Sequence, residues 1–343
     1  MTAALPPWLQ RQLQALLAQR GHALLLDGAA GLGQFPLALA LATAWLCEQP
    51  EQGHACGDCP SCRAVQARTH PDLCVLLPDA LALELGWPLD PWTQERLERK
   101  EIKPSRQIRV EATRAALAFA QTTSARGRAK VVLIHPAERL NAESANALLK
   151  TLEEPPAAVR FVLASEAAHA LLPTLRSRCQ RHVLAWPGEE EGRAWLAQAA
   201  ADEGLNLDEA TLAACWRLAA GRVDEALAWA RLGLDAAQWR QLPQRLAAGD
   251  WGRALEWPLP RQLELLQLLC HDALAHAFGA PTRYFDASTL PAAAAPARLA
   301  ALWQALQQAR RSIEHPYQAA LWSAAWAERV RAAFAGPALH SRP

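Results

Sequence analysis

Short apolar segments alternate with helix-like segments over the first 185 residues of the chain. Four of them have the length and composition of buried strands: HALLL (22–26), DLCVLL (72–77), KVVLIH (130–135) and VRFVLAS (159–165). Strands that are apolar throughout and separated by helices are typical of a parallel sheet covered on both faces. The alternation therefore predicts an α/β domain.

Helical patterns connect these strands and fill the chain beyond Pro187–Gly188. In the first part we expect helices over 5–20, from the glycine-rich loop to Cys47, over 105–121 with Ser105 as N-cap, and over 142–154, where Pro155 and Pro156 end the helix. Beyond the boundary we expect helices over 189–202, 208–219, 222–232, 236–248, 259–278, 297–312 and 316–335. Because 343 residues are too many for one ordinary domain, we predict domains over 1–185, 186–232 and 233–343. The segment 78–104 is interpreted as a surface insertion without an assigned role.

Charge and hydropathy narrow the class of protein. The formal net charge of +1 argues against a protein that coats nucleic acid. No apolar run reaches the roughly 18 residues of a membrane span, and the N-terminus lacks the features of a secretory signal. We therefore expect a cytoplasmic protein with no membrane partner. In that reducing compartment the eight cysteines are not a disulfide framework.

Half of the cysteines lie close together in the spacing C-x8-C-x2-C-x2-C, at Cys47, Cys56, Cys59 and Cys62. Four thiolates so near one another can surround one tetrahedral Zn²⁺ with Zn–S distances of about 2.3 Å. Such a set leaves no open coordination position, so the zinc would be structural. The alternative interpretation is a run of free thiols, and His54 is a further donor in the same loop.

The stretch GAAGLGQF (28–35) has the glycines of a phosphate-binding loop, at Gly28, Gly31 and Gly33, between a strand and a helix. In such loops backbone N–H groups hold phosphates, a lysine reaches the β and γ phosphates, and a hydroxyl binds Mg²⁺. Here those two positions are Gln34 and Phe35. A plain turn between strand and helix is the alternative interpretation.

A second position bears on the same question. ATPases of this type carry an acidic pair at the end of a later strand, which holds Mg²⁺ and orients water. After VVLI this chain has His135 and Pro136 instead. Both halves of the metal and phosphate apparatus are missing, so we predict no ATP hydrolysis by this chain alone and no bound ATP.

Two basic stretches remain. TLRSRC (174–179) contains Arg176 and Arg178, which could be a solvated helix end or an arginine finger offered to a neighbouring subunit. ARGRAK (125–130) offers Arg126, Arg128 and Lys130 as candidates for phosphate contacts, with a solvated loop as the alternative.

Taken in order, these stretches resemble one family. HALLLDGAAGLGQ, CEQPEQGHACGDCPSC, THPDL, KVVLIHPAERLNAESANALLKTLEEPP and TLRSRC are similar to the delta-prime subunits of bacterial DNA polymerase III clamp loaders, in the AAA+ superfamily. The resemblance is dense over residues 20–185. Its most specific parts are the four-cysteine insert, NALLKTLEEPP (146–156) and SRC (177–179).

The resemblance implies an AAA+ module, made of the α/β domain (1–185) and a small helical lid (186–232), followed by a helical collar (233–343) that joins subunits in a ring. It implies zinc on the four cysteines. It also implies that Arg178, with Ser177 and Cys179 as its motif neighbours, reaches the ATP of an adjacent gamma/tau subunit, whereas Arg176 precedes the motif and receives no role.

The combined interpretation is a non-catalytic clamp loader subunit that supports ATP-driven placement of a sliding clamp on primed DNA. Its expected partners are the gamma/tau and delta subunits, the clamp and, through the assembled complex, DNA. Two alternatives remain. An active gamma/tau-type ATPase would need Lys at 34 and an acidic pair near 135, and a zinc-containing interaction module would have no use for SRC or NALLKTLEEPP.

Overall fold

The structure, a computed structural model, describes residues 5–335 with the exception of 293, 314 and 316. It divides into two compact units, Met1–Trp186 and Pro187–Pro343. The first contains a sheet with flanking helices, and the described part of the second is helical. The predicted fold class is confirmed. The predicted division at 232/233 falls inside the second unit and stays a prediction.

One parallel five-stranded sheet forms the centre of the first unit. Its strands are β1 (Ala23–Asp27), β2 (Leu73–Leu76), β3 (Lys130–Ile134), β4 (Val159–Ser165) and β5 (Gln180–Val183), in the order β2-β3-β4-β1-β5. The four predicted strands are confirmed. Since carboxyl ends of parallel strands meet at one edge, the segments that follow β1, β3 and β4 are neighbours there.

Helices cover this sheet because their apolar faces pack on the apolar strands. They are α1 (Pro7–Leu17), α2 (Gln34–Leu46), α3 (Pro60–Gln66), α4 (Asp79–Leu85), α5 (Pro91–Glu98), α6 (Val110–Gln121), α7 (Ala142–Glu153) and α8 (Pro173–Arg176). One core joins Val132 and Phe161 of the sheet to Leu148 of α7 and Leu175 of α8, all fully buried. Burial of each such side chain contributes about 1.5–3 kcal/mol.

Helix α7 begins and ends for local reasons. The Asn141 side chain accepts a hydrogen bond of 2.8 Å from the backbone N–H of Ser144, which caps the first turn. At the other end the helix stops at Glu153, two residues before Pro155, as the sequence predicts.

The prediction that Ser105 caps a helix over 105–121 is wrong. Helix α6 begins at Val110, and the Ser105 hydroxyl instead forms a turn with Gln107. Asp79 of α4 accounts for the late start. Its carboxylate accepts the Ser105 N–H at 2.9 Å and the Arg109 Nε–H at 2.7 Å, so residues 105–109 are held against α4 before the helix begins.

The second unit consists of helices α9 (Glu189–Asp202), α10 (Glu209–Leu218), α11 (Val223–Ala230), α12 (Ala236–Ala247), α13 (Leu259–Ala277), α14 (Pro296–Ser312) and α15 (Ala319–Phe334). Trp229, Trp239 and Trp257 lie together in its core, with ring centroids 5.8–6.1 Å apart. Arg261 of α13 also pairs with Glu225 of α11 at 2.6 Å. These contacts cross the predicted 232/233 boundary.

Among the described residues, no helix combines the length and the apolar character that a bilayer crossing would need.

Candidate functional site

The glycine loop follows β1 and leads into α2, so its backbone lies at the carboxyl edge of the sheet. Gly31 and Gly33 have φ values of 82° and 85°, in the left-handed region that favours glycine. A Cβ on Gly33 would also lie 2.6 Å from Leu9 Cδ1. The backbone conformation of this loop therefore requires glycine at positions 31 and 33.

Gln34 stands where such loops carry lysine. Its side chain is turned inward and is only 2% exposed. The amide Nε2 donates to the carbonyl oxygens of Gly28 and Ala29, both at 2.7 Å. The side chain that would otherwise reach a phosphate is thus used to hold the loop itself, and it supplies no positive charge.

The next two departures from an ATPase pattern contact each other. Phe35, at the position of the Mg²⁺-binding hydroxyl, stacks on His135, at the position of the first acidic residue, with ring centroids 5.1 Å apart and planes at 28°. Trp87 also packs on Phe35, with the two ring planes nearly perpendicular. Rings therefore occupy the region where Mg²⁺ would need oxygen ligands.

Trp87, which packs on Phe35, belongs to segment 78–104. The segment contains α4 and α5, and Trp87 lies between them. Leu77, Ala82 and Trp87 form a buried cluster with Phe35 and neighbouring aliphatic side chains. The segment is therefore more than a solvated insertion, since one face of it packs over the region beside the glycine loop.

His135 is a neutral aromatic group in this setting. Burial lowers the pKa of its imidazole, and a backbone hydrogen bond with Ala164 and the charge of Glu138 oppose that effect without reversing it. Its Nδ1 is buried and has no hydrogen-bond partner among the described residues. Such a group offers neither the negative charge nor the oxygen atoms that Mg²⁺ prefers.

Glu138 and Ser165 form a pair at this edge that the sequence did not suggest. The Ser165 hydroxyl, fully buried at the end of β4, donates to Glu138 Oε2 at 2.7 Å, and the backbone N–H of Gly28 donates to the Ser165 carbonyl at 3.2 Å. A carboxylate thus lies at this edge of the sheet, held in place by the Ser165 hydroxyl. The available signal was that Ser165 ends strand β4 and that Glu138 lies in the turn after the neighbouring strand β3.

The four cysteines meet at one point. Cys47 ends α2, Cys59 and Cys62 begin α3, and Cys56 lies in the loop between the helices. All four Sγ atoms lie within 4.8 Å of one another, with Cys47 Sγ 3.6 Å from Cys56 Sγ and 3.9 Å from Cys59 Sγ. A tetrahedron of sulfurs about 2.3 Å from Zn²⁺ has edges of about 3.8 Å.

The backbone around the cluster is arranged to stabilise thiolates. N–H groups of Cys56, Cys59 and Cys62 donate to the Sγ atoms of Cys47, Cys56 and Cys59 at 3.3–3.4 Å. Burial raises the pKa of Cys59, but backbone donors, first that of Cys62, outweigh it and lower the value to about 6. Burial raises the pKa of Cys62. A divalent cation would allow all four to ionise, so the donor set fits zinc.

Two of the three basic side chains in the stretch 125–130 pair with carboxylates of the same unit. Arg126 pairs with Glu48 at 2.6 Å. Lys130 is buried, with its Nζ 4.0 Å from Asp72 Oδ1. Asp72 in turn accepts hydrogen bonds from the backbone of Ala125 and Arg126, which explains the acidic residue of THPDL structurally. Arg126 and Arg128 are both exposed, and of the three candidates for phosphate contacts Arg128 alone has no ion-pair partner among the described residues.

Arg178 lies just beyond α8. Its guanidinium donates through Nε to Glu153 Oε1 at 2.7 Å, through Nη2 to the same oxygen, and through Nη1 to the Thr174 carbonyl at 2.7 Å. Its side chain is 30% exposed. Arg176 is exposed, and Cys179 is packed against the core, where burial raises its pKa to about 12. The residues of SRC thus differ sharply in environment.

A parallel five-stranded sheet with a glycine loop after its first strand, followed by a helical unit, defines an AAA+ module with a helical extension. Residues 7–187 match the family described as "DNA polymerase III, delta subunit". The chain is 35% identical over 290 residues to DNA polymerase III subunit delta' of Escherichia coli K12, a match that covers 80% of this chain and 77% of that protein. The chain belongs to the delta-prime family of DNA polymerase III clamp loader subunits.

Other proteins are also similar to this chain in sequence or in structure. Identity is 37% over 209 residues with subunit delta' of Pseudomonas aeruginosa, covering 60% of this chain and 57% of that protein. It is 33% over 206 residues with subunit tau of Salmonella typhimurium, covering 60% and 28% respectively. A DNA polymerase III gamma-subunit-related protein from Thermotoga maritima is similar in structure, with a TM-score of 0.48, 16% identity, and coverage of 96% of this chain and 100% of that chain.

Proposed function

We propose that this chain is a clamp loader subunit that neither binds nor hydrolyses ATP itself and that supplies Arg178 to the ATP site of an adjacent gamma/tau subunit. The observation that carries the proposal is the stack of Phe35 on His135. It fills the metal region of the chain's own site, while the SRC arginine is kept at the surface of the same unit. A guanidinium placed beside a transferring phosphoryl group stabilises the charge of the transition state.

Within this proposal the chain acts in the cytoplasm, in a complex with gamma/tau and delta subunits. That complex places a sliding clamp on primed DNA, and ATP turnover in its partners drives the cycle. The small net charge of the chain and the internal pairing of Arg126 and Lys130 favour DNA contact through the whole complex over a separate DNA site on this subunit.

We further propose one structural zinc on Cys47, Cys56, Cys59 and Cys62. When bound, the metal would join α2 to α3 and stabilise the fold of the first unit, as closed four-thiolate sites do. It would take no part in phosphoryl transfer, since four protein ligands leave no position for substrate.

The test of the arginine role is a reconstituted clamp loader that contains Arg178→Ala, compared with Arg176→Ala as the matched control. We expect Arg178→Ala to assemble normally and to lower the DNA- and clamp-stimulated ATPase several-fold, because only the site beside this subunit loses its arginine. Arg176→Ala should behave as wild type. Equal activity of both variants would contradict the proposal.

A further inference from the structure

Glu153 and Arg178 join two sequence motifs that lie 25 residues apart. Glu153 is the last residue of α7, within NALLKTLEEPP, and Arg178 belongs to SRC beyond α8. Leu152 of α7 and Leu175 of α8 are both buried in the same core, so the backbones that carry the two charged groups are fixed relative to each other. The ion pair therefore forms on a rigid base.

The contacts of the guanidinium leave part of it available. Arginine has five N–H donors. One on Nε, one on Nη2 and one on Nη1 are directed to Glu153 Oε1 and the Thr174 carbonyl, which leaves two for an external anion. The planar guanidinium is held along one side, and its remaining donors are fixed by that orientation.

The pair is unsuited to a role in stability. The side chains of Arg178 and Glu153 are 30% and 48% exposed, and ion pairs at such positions contribute little to folding. The pair can still fix the orientation of the guanidinium. Without it, a long arginine side chain samples many rotamers, and a reaction that needs one of them proceeds more slowly.

We propose that Glu153 is the positioning residue for Arg178: it holds the guanidinium in the orientation in which its free donors meet the phosphates of the neighbouring subunit's ATP. This inference rests on the proposed role of Arg178 in trans. It gives NALLKTLEEPP a purpose, since the motif contains the carboxylate that orients the arginine of SRC.

Glu154 provides a matched control. It directly follows Glu153, carries the same charge, is exposed, and its carboxylate makes no hydrogen bond or ion pair with the described residues. Any effect of the local negative charge on assembly should therefore appear equally in Glu153→Gln and Glu154→Gln, whereas an effect on Arg178 should appear only in the first.

The experiment uses the reconstituted clamp loader with Glu153→Gln, Glu154→Gln, Arg178→Ala and the double variant Glu153→Gln/Arg178→Ala. We expect Glu153→Gln to lower kcat of the stimulated ATPase about three- to tenfold with little change in KM for ATP, because the finger acts in the transition state. Glu154→Gln should match wild type, and Glu153→Asp should recover part of the loss. The double variant should be no slower than Arg178→Ala alone.

The outcomes separate the two proposals. If Arg178→Ala is impaired and Glu153→Gln is not, Glu153 has no positioning role and the finger stands. If Arg178→Ala is unimpaired, the finger and the positioning role are both overturned. A faster Glu153→Gln enzyme would mean that the carboxylate competes with phosphate, and a further loss in the double variant would mean that Glu153 acts independently of Arg178. Either result would overturn the inference.

Discussion

Trp87 packs edge-to-face on the ring of Phe35, with centroids 6.2 Å apart and planes at 84°. One residue comes from the segment between β2 and α6, and the other from the first turn of the helix after the glycine loop. Their contact makes segment 78–104 part of the fold of the first unit, and it determines what a substitution in that segment should do.

Trp87→Ala should lower the free energy of unfolding of the first unit by about 3 kcal/mol, since a large buried ring is removed and its neighbours cannot close the space. Trp92→Ala is the control within the same segment. Trp92 is 39% exposed, against 9% for Trp87, and its loss should cost less than about 1 kcal/mol. Urea unfolding of both variants measures the difference, and equal losses would contradict the packing role.

Mg-ATP should not bind to the isolated chain, and Gln34→Lys should not restore binding. The substitution would supply one positive charge. The side chains of Phe35, His135 and Pro136 would still offer Mg²⁺ no oxygen ligand. Isothermal titration of both proteins with Mg-ATP checks this. Stoichiometric binding by the unmodified chain would favour the alternative of an active gamma/tau-type ATPase.

Purified protein should contain about one zinc per chain, and Cys62→Ser should lose most of it, because three thiolates no longer close the site. Cys270→Ser serves as control, since Cys270 is equally buried but lies in the second unit, where its Sγ donates to the Leu299 carbonyl. Elemental analysis after purification without chelators gives the metal content. Zinc-free wild-type protein, or equal zinc in both variants, would contradict the proposed site.

Asp72→Asn should destabilise the first unit by about 2 kcal/mol at neutral pH. Burial raises the pKa of the Asp72 carboxyl, but hydrogen bonds from Ala125, Arg126 and Ser124 outweigh it and lower the pKa below its ordinary value. A lowered carboxyl pKa stabilises the fold above the unfolded pKa of about 3.9, and that stabilisation is lost as the pH falls through the folded pKa.

The difference between wild type and Asp72→Asn should therefore narrow below about pH 4. Unfolding curves from pH 3 to pH 7 measure it. Glu84→Gln is the control, because Glu84 is exposed and has no ion-pair partner among the described residues, so it should cost nothing at any pH. A difference that does not change with pH would show that the carboxylate charge is not what Asp72 contributes.

His135→Phe should make stability less dependent on pH between about 5 and 7. Burial lowers the pKa of His135 in the folded chain. As the pH falls below about 6.5, the unfolded chain binds a proton on this imidazole and the folded chain does not, so the free energy of unfolding decreases. Each pH unit costs at most about 1.4 kcal/mol. Phenylalanine keeps a ring against Phe35 and removes the proton uptake. The exposed His169→Asn is the control, and an unchanged pH profile in His135→Phe would contradict the prediction.

Much of the first unit could be predicted because its signals are local. The four apolar strands, the glycine loop between β1 and α2, and the end of α7 before Pro155 each depend on residues close in sequence. The start of α6 depends on Asp79 of α4, which no pattern over 105–121 contains, and the prediction of Ser105 as N-cap was wrong for that reason.

The relationships that define the site are not local. Phe35 and His135 were each recognised as departures from an ATPase pattern, but their contact spans 100 residues and depends on the order of strands in the sheet. Glu138 with Ser165 and Glu153 with Arg178 depend on the same order. The four cysteines are an exception, since sixteen residues are few enough for spacing alone to predict that their sulfurs converge.

The inward-turned amide of Gln34 has a consequence for what a single substitution at this position can achieve. A lysine at this position would place an ammonium where the Gln34 side chain is now buried, and the two hydrogen bonds that hold Gly28 and Ala29 would have to be replaced. Under the proposed function, nucleotide affinity would offset that loss only after Phe35, His135 and Pro136 had changed as well. We therefore expect a single substitution at residue 34 to lower the stability of the loop without creating an ATP site, so that several residues would have to change together.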